Sequence, residues 1–472
     1  MTRARFYDAR MHGLDWKRVG DRYRAQAVAA IDKRAFQIVI NQMLGELKAS
    51  HLAYFTDDDL EFYLLQSLFS PAPAVPRQKT ERAAVQMRRR AGEIDRPDLV
   101  MEHIGVTGTE EFVQAAMTAK ETALNGANPA TNYRETNDRA TNDVAANDVA
   151  AKNAATKNAR FDKFVVGAAR RVFVVRAILD GSPAARVGLR VGDRLLSAGG
   201  RPFSTVGAWR GRAGKATPLL LERAGVGRMT LVVTPVAQGP QTAFLEATRR
   251  SVRIIPYGGK KLGYIHLWCM THPAFQGVLE DALTRRFAQT DGLILDLRDG
   301  FGGTPFGWSD VLFRPAIEFR IKSRVPGSPP DNAAPKGAAK ADSPSSSTPA
   351  AGDNSRIERG VSITRTGYDK PLVLLINRGT RSSKEYFAYQ IKKSARGTLA
   401  GTTTAGAFLA AGGWKIDDEG FLELPIMQLA LDNNPIEGRG VAPDIFVEAN
   451  DAYSPHDTLV ARAAQVLLEK LR

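Results

Sequence analysis

Apolar residues recur at three- and four-residue steps near the start of the chain. This spacing places their side chains on one face of a helix. The pattern predicts a helical N-terminal domain over residues 1–125. In the stretch VAAIDKRAFQIVINQMLGEL the apolar positions are Val28, Ile31, Phe36, Val39, Ile40, Met43, Leu44 and Leu47.

Two stretches have almost no large apolar side chains. Residues 126–160 carry the near-repeat TNDRA/TNDVAA/NDVAA/KNAA, and residues 323–357 are rich in Pro, Ser, Ala and Gly. Neither can bury enough apolar surface to offset the conformational entropy lost on ordering. We therefore predict a disordered or weakly helical linker at 126–160 and a flexible surface insertion at 323–357.

The two remaining regions show different patterns of predicted strands, helices and turns. Over 161–237, short β-branched runs such as VFVVRAI and MTLVVTP are separated by glycine turns, which predicts a small β-rich domain. From residue 250 onward, strands such as GLILDLR and PLVLLIN alternate with helical segments such as KEYFAYQIKKSA. This alternation predicts a βαβ-type α/β domain over 238–472. The predicted fold class is multidomain α+β.

The composition is that of a globular protein. The 472 residues exceed what one core accommodates, and 43% are hydrophobic and 24% charged. The net charge of +15 would suit nucleic acid, but the basic residues are spread along the chain and the densest run, QMRRR at 86–90, is short. Without a nucleic-acid-binding motif, we expect no nucleic-acid partner.

The single cysteine, Cys269, excludes an internal disulfide framework and a Cys-based zinc site. It lies in the apolar stretch YIHLWCM, so we expect a buried, inert thiol. No apolar run reaches the ~18 residues of a membrane span, so none is expected. The N-terminus lacks the apolar core of a signal peptide. A complete chain would therefore be cytoplasmic, and a chain whose signal had been removed would be periplasmic.

The β-rich region resembles PDZ domains of bacterial proteases. GSPA at 181–184 and GL…GD at 188–193 stand at that family's turn positions. PDZ domains take an extended peptide as an added strand at a sheet edge, often gripping its C-terminal carboxylate. The resemblance implies peptide or protein partners, including their C-termini, with Val172 and Val174 on the candidate binding strand. A spacer role is the alternative.

Three motifs in the α/β domain occur in one order. Residues 292–303 read GLILDLRDGFGG, residues 377–385 read NRGTRSSKE and residues 436–444 read IEGRGVAPD. They resemble DxRxNxGG, NxGSxSxSE and GVxPD of the S41 peptidases, which include C-terminal processing proteases and, more closely, the tricorn core protease. The resemblance implies a ClpP/crotonase-like catalytic domain and a serine-type endopeptidase without metal or cofactor. Gly300 stands where the family has Asn.

The offset from Asn377 selects Ser382 as the nucleophile. A serine between a buried strand and a helix start projects its hydroxyl at the carboxyl end of the strand, where open α/β sheets place their sites. The N–H of Ser383 is one of the unpaired donors at a helix start. Together with an N–H from the Gly302-Gly303 turn, it would form an oxyanion hole.

The general base has two candidate sources. C-terminal processing proteases use a lysine in a turn that corresponds to 401–408, but Ala407 occupies that position. Lys384 and Lys392 lie on the helix after the nucleophile and would have to fold back. The stretch GLDWKRVGDRYRAQ…MLGELKASHLAYF instead resembles the helical domain that supplies a serine and the catalytic histidine in tricorn-type proteases.

That resemblance implies a tetrad whose members are Ser382, His51, Ser50 and Glu437. His51 would take the serine proton, since its pKa lies near neutrality. Glu437 would orient and stabilise the imidazolium through Ser50. Arg381 would favour acidic substrates or carboxylate ends. A catalytically silent scaffold that binds peptides is the alternative function, and a homo-oligomer is compatible with the sequence.

Overall fold

The structure, a computed structural model, describes residues 1–69, 94, 99–114, 169–303, 308, 311–312, 318–324, 354–359, 366–432, 436–449 and 451–472. Met1–Thr109 and Val174–Arg472 form one compact unit, and Glu110–Phe173 forms a second. The predicted linker at 126–160 and the interior of the predicted insertion lie outside the described residues.

The described residues form both helices and strands. The helices are α1 (Thr2–Arg5), α2 (Trp16–Val28), α3 (Lys33–Gly45), α4 (Leu60–Phe69), α5 (Pro183–Arg186), α6 (Pro240–Ser251), α7 (Pro273–Asp281), α8 (Ser383–Lys393) and α9 (Thr458–Lys470). The first ten strands are β1 (Ala53–Thr56), β2 (Met101–His103), β3 (Val106–Gln114), β4 (Ala169–Ile178), β5 (Arg194–Ala198), β6 (Arg201–Pro202), β7 (Thr217–Arg223), β8 (Gly227–Val233), β9 (Val236–Gln238) and β10 (Arg253–Tyr257). The others are β11 (Lys260–His266), β12 (Cys269–Met270), β13 (Gly292–Asp296), β14 (Phe301–Gly303), β15 (Glu318–Arg324), β16 (Asn354–Arg359), β17 (Leu372–Ile376), β18 (Thr398–Gly401), β19 (Ala410–Lys415), β20 (Gly420–Leu431) and β21 (Ile445–Phe446).

Residues 1–69 are mainly helical, with strand β1 between α3 and α4, which confirms only the first part of the predicted helical region. Residues 101–114 form β2 and β3, so a helical domain extending to residue 125 was wrong. The apolar face is also interrupted, because Asp32 caps a new helix by accepting from the Ala35 N–H at 2.7 Å. Val28 and Ile31, which lie around this break, are 82% and 92% exposed.

The α/β domain is built on the sheet β10-β11-β13-β17-β18-β21, which is parallel from β11 to β21. This arrangement confirms the predicted βαβ alternation. Strands β13 and β17 are buried along their whole length, because apolar side chains pack on both faces. Ile294, Val373 and Leu375 pack with the apolar face of α9, and Leu295 and Leu374 pack in the cluster that holds α6, α7 and α8.

The β-rich region forms the sheet β3-β4-β5-β7-β8, with β6 paired to β5. Gly181, Gly188 and Gly192 have positive φ, as the predicted turns require. However, β4 is an inner strand with β3 on one side and β5 on the other. The candidate edge at Val172 and Val174 was therefore wrong: both side chains are buried, and a neighbouring strand already occupies each edge.

A second sheet joins the N-terminal region to the α/β domain in the order β1-β20-β15-β16, with β19 also on β20. Strands β15 and β16 pair antiparallel. Strand β15 ends at Arg324 and β16 begins at Asn354, and both of these positions lie inside the bounds predicted for the insertion. In the described part of the chain, no helix combines the length and apolarity needed to cross a membrane.

Candidate active site

The turn after β17 gives Ser382 an unusual backbone conformation. Ser382 has φ of 58° and ψ of −130°, and α8 begins at the next residue. A positive φ is uncommon for a residue with a side chain, and such strain concentrates at functional sites. The expected position of Ser382, between a buried strand and a helix start, is therefore present, together with strain that the sequence did not indicate.

A buried carboxylate, Glu385, holds this turn. Its Oε2 accepts from the N–H of Ser382 at 3.1 Å and of Ala407 at 2.9 Å. Its Oε1 accepts from the Thr404 hydroxyl at 2.5 Å and the Gly406 N–H at 2.7 Å. Burial raises the pKa of Glu385 despite these four donors. Glu385 thus ties the turn at 404–407 to the residue expected to be the nucleophile.

Gly302 packs directly against Ser382. A Cβ on Gly302 would lie 2.6 Å from Ser382 Cβ, 2.9 Å from its Oγ and 2.8 Å from the Ser383 nitrogen. Only glycine fits without displacing one of these atoms. In addition, the Ser383 hydroxyl donates to the carbonyl oxygen of Gly303. The structure therefore brings the three residues expected in the oxyanion hole together around Ser382.

The first and second motifs are joined through Asp299 and Asn377. The Asn377 side chain donates to Asp299 Oδ2 at 3.0 Å and accepts from the Asp299 N–H at 3.1 Å. The next residue, Gly300, has φ of 66°, and a Cβ there would lie 2.0 Å from the Trp268 carbonyl oxygen. The departure from the family's Asn is thus explained: this close approach requires glycine, and Asp299 makes the polar contacts between the two motifs.

Ser50 and Glu437 meet across the chain. The Ser50 N–H donates to Glu437 Oε1 at 2.9 Å, and its hydroxyl donates to Oε2 at 2.8 Å. Oε2 also accepts from the Phe408 N–H at 2.6 Å. Because Ala407 accepts from the Ser382 N–H at 2.9 Å, a continuous path of bonds and one peptide unit links Ser50 to Ser382.

His51 does not make the contact predicted for it. Its Nδ1 is 3.1 Å from Glu423 Oε1, and no bond joins the ring to Ser50. The predicted route from Glu437 through Ser50 to the imidazole was therefore wrong. The reason is the pairing of β1 with β20, which places Glu423 opposite Ala53. Ala53 is two residues after His51, so Glu423 lies beside the imidazole instead. The buried Nε2 has no hydrogen-bond partner among the described residues, so it is not bonded to Ser382.

The lysines considered as bases are engaged elsewhere. The buried ammonium of Lys384 donates to the carbonyl oxygen of Asp299 at 2.6 Å, and burial lowers its pKa to about 8. Lys392 donates to the Ala442 carbonyl oxygen at 2.8 Å and lies 3.0 Å from Asp444. Neither of these ammonium groups points to Ser382.

Arg381, expected to bind substrate, lies with its guanidinium 4.6 Å from the centre of the Phe301 ring. Its charge acts on two carboxyl groups. Burial and then the nearby Asp59 raise the pKa of Glu61 to about 7, against the opposing effect of Arg381. Burial also raises the pKa of Glu423, but the His51 bond and charge, with Arg381, outweigh it and leave that pKa below its ordinary value.

Sequence reasoning missed Glu423 and the role of Glu385. Glu385 lies inside the nucleophile motif, yet the motif says nothing about what its side chain contacts. Glu423 could have been noticed, because FLELP places one carboxylate among apolar residues of a strand. A charged side chain in such a strand needs a partner, but the sequence does not identify it as His51.

Comparison with known proteins supports this description. Residues 261–447 match the family described as Peptidase family S41, residues 1–45 match the tricorn protease C1 domain and residues 174–223 match a PDZ domain. A carboxyl-terminal-processing protease of Synechocystis sp. is 26% identical over 286 residues, which cover 58% of each chain. The carboxy-terminal processing protease CtpA of Bacillus subtilis is 24% identical over 314 residues, covering 62% of this chain and 59% of CtpA. The chain thus spans less than two-thirds of either relative.

Among solved structures, the photosystem II D1 C-terminal processing protease is 18% identical, with 99% of this chain and 94% of that one covered and a TM-score of 0.44. The tricorn protease is 16% identical, with 100% of this chain and 36% of that chain covered and a TM-score of 0.42. The three domain matches follow the order of the three regions predicted from the sequence. Residues 261–447 of this chain are therefore a peptidase family S41 domain, and a tricorn C1 segment and a PDZ domain precede it.

Proposed function

We propose that this chain is a serine-type endopeptidase that hydrolyses peptide bonds in peptides or unfolded proteins. Ser382 is the nucleophile and His51 is the general base. Ser50 and Glu437 hold the segment that carries His51 on the peptidase domain. The observation that carries the proposal is the close packing of Gly302 against Ser382 and the Ser383 nitrogen: a Cβ on Gly302 would lie 2.9 Å from Ser382 Oγ and 2.8 Å from that nitrogen.

The reaction uses two steps at Ser382. Its Oγ attacks the carbonyl carbon of the scissile bond while its proton passes to Nε2 of His51. The oxyanion accepts from the N–H of Ser383 and from a backbone N–H of Gly302-Gly303 in β14, each donor lowering the barrier by ~3 kcal/mol. His51 then gives the proton to the leaving amine, and an acyl ester remains on Ser382. Water, deprotonated by His51, hydrolyses that ester and restores the hydroxyl.

The contact between His51 and Ser382 must form when substrate binds. The buried Nε2 of His51 is without a hydrogen-bond partner among the described residues. Catalytic hydrogen bonds are often long or misaligned in the free enzyme and shorten in the substrate complex. The free Nε2 is therefore consistent with a base that receives its proton only during the reaction.

Peptide binding by the PDZ domain is the second part of the proposal. Strand β4 has a neighbour on each side, and the end strands of its sheet are β3 and β8. A peptide added as a strand would therefore lie against one of these end strands. Such binding would supply affinity at a distance from the reacting bond.

A fluorophosphonate probe tests the proposed nucleophile. The wild-type protein should be labelled once, at Ser382, and Ser382→Ala should abolish labelling. Ser394→Ala is the matched control, because the Ser394 hydroxyl donates to the carbonyl oxygens of Gln390 and Ile391 at the end of α8, away from the Ser382 turn. Labelling at Ser383 would move the nucleophile by one residue. Absence of labelling in the folded wild-type protein would favour the silent scaffold.

A further inference from the structure

We infer that Glu423 is the carboxylate that positions His51 for catalysis. It would hold the ring in one tautomer and stabilise the imidazolium that forms when Ser382 loses its proton. The inference rests on the proposed function. It assigns the part of the carboxylate in a Ser-His-carboxylate system to a residue outside the three motifs of the peptidase domain.

The fold places Glu423 beside His51 by strand register. Strand β1 begins two residues after His51 and pairs antiparallel with β20, with Ala53 opposite Glu423. The resulting contact between His51 Nδ1 and Glu423 Oε1 is 3.1 Å long, and each side chain is only 12% exposed. A partly desolvated contact of this kind is stronger than one on the surface.

The contact determines which nitrogen of His51 can act as a base. A carboxylate oxygen only accepts, so Nδ1 must carry the hydrogen that it donates to Glu423. In a neutral ring Nε2 is then the unprotonated nitrogen. This is also the nitrogen that is buried without a hydrogen-bond partner in the described part of the chain. The two observations together describe a ring ready to accept a proton at Nε2.

Glu437 is committed to other donors. Both of its oxygens accept from Ser50, and Oε2 also accepts from the Phe408 N–H. These bonds attach the loop that bears His51 to the peptidase domain, and none of them reaches the imidazole. The two glutamates therefore have different roles: Glu437 holds the loop in place, and Glu423 contacts the imidazole ring.

The charges around the pair are consistent with an ionised Glu423. Burial raises the pKa of Glu423, but the His51 hydrogen bond and charge, with the charge of Arg381 in the turn before α8, together lower it below its ordinary value. Glu61 on α4 faces the same group, and its own pKa is raised to about 7 by burial and by neighbouring carboxylates. Near neutral pH, Glu423 can thus supply the negative charge that favours imidazolium.

The rate of fluorophosphonate labelling of Ser382, followed against pH, tests the inference without a known substrate. Glu423→Gln should slow labelling by about 10²- to 10⁴-fold, because an amide neither stabilises the imidazolium nor enforces the tautomer. It should also shift the acid limb of the profile to lower pH, because the ring loses its anionic partner. Glu423→Asp keeps the charge and should retain more of the rate and of the wild-type limb.

Glu419→Gln is the matched control, because Glu419 lies beside β20 and is 67% exposed. It should label within about twofold of wild type, since exposed ion pairs contribute little. Glu423→Gln should cause no further loss in a His51→Ala background, because the carboxylate acts through the ring. Equal loss in both backgrounds, or an unmoved acid limb in a folded Glu423→Gln protein, would overturn the inference and leave Ser382 as the nucleophile. Failure of the folded wild type to label would instead overturn the proposed function, and the inference with it.

Discussion

Three of the nine non-glycine residues with positive φ in the described part of the chain belong to the proposed site or to its motifs. His51 has φ of 53°, Asp299 of 48° and Ser382 of 58°, although none of them is glycine. Each such conformation costs of order 1–3 kcal/mol and persists only when surrounding contacts hold it. Here the holding contacts are the Glu385 carboxylate at Ser382 and the Asn377 side chain at Asp299. The strained backbone at Ser382 and Asp299 is therefore maintained by the same contacts that shape the site.

Gly302→Ala should reduce the labelling rate of Ser382 by about 10²-fold or more, the cost of losing one oxyanion donor. The new methyl group would lie 2.6 Å from Ser382 Cβ, so the serine or the Gly302 strand must move. Overpacking of this kind should also lower the free energy of unfolding by about 1–3 kcal/mol. Labelling kinetics and thermal melts measure the two effects.

Gly277→Ala is the matched control for that substitution. Gly277 lies in α7, and a Cβ there meets no atom within 4 Å. Alanine should therefore leave labelling unchanged and stabilise the helix by up to about 1 kcal/mol. Normal labelling by Gly302→Ala would mean that the backbone at 302 does not shape the site.

At the scale of elements, three strands that precede residue 125 complete sheets in the rest of the chain. Strand β1 pairs with β20, β2 pairs with β9, and β3 is the end strand next to β4. Without them, β20, β9 and β4 would each expose one row of backbone donors and acceptors. The tricorn C1 match covers residues 1–45 and stops before these strands. It therefore gives no indication that the later sheets depend on β1, β2 and β3.

A fragment of residues 161–472, with the domain boundary predicted from sequence, should therefore fold poorly. Open strand edges template aggregation, so we expect low solubility and a lower Tm than for the whole chain. A chain lacking only 126–160, the predicted linker, should keep its Tm because that segment has little apolar surface to bury. Expression, circular dichroism and thermal melts make the comparison. A fragment that melts like the whole chain would show that the three strands are dispensable.

At the scale of the whole molecule, two buried histidines make stability depend on pH. Burial lowers the pKa of His103 to about 4 and that of His266 to about 3. The ordinary pKa of histidine is about 6.5. Between that pH and the lowered pKa values, these two side chains are protonated in the unfolded chain and neutral in the folded one. The stability that these two histidines contribute is therefore fully present above pH 6.5 and is lost as the pH drops toward 4.

His103→Gln should flatten the fall in Tm between pH 6.5 and 4, because it removes one of the two groups. The full effect of His103 is up to about 3 kcal/mol at pH 4. His456→Gln is the control, because His456 is exposed and should leave the slope as in wild type. Thermal melts at several pH values provide the test, and the slope is the readout even if His103→Gln lowers every Tm. An unchanged slope would mean that His103 is protonated in the folded protein.

Local patterns in the sequence were enough to predict the central sheet and the turn that carries Ser382. Strands β13 and β17 are uninterrupted apolar runs, and the turn after β17 is set by glycine and serine chemistry within a few residues. The glycine turns of the PDZ domain were predictable for the same reason. In each case the information lies in neighbouring residues, because backbone sterics and burial act locally.

The contacts of the site were decided only by tertiary structure. Glu423 meets His51 through the register of β1 against β20, and Glu437 meets Ser50 between segments at opposite ends of the chain. The inner position of β4 likewise depends on β3, which precedes the predicted linker. No local pattern encodes such pairings, because they arise when distant segments bury apolar faces together. Which carboxylate faces the imidazole is thus a property of the assembled sheets.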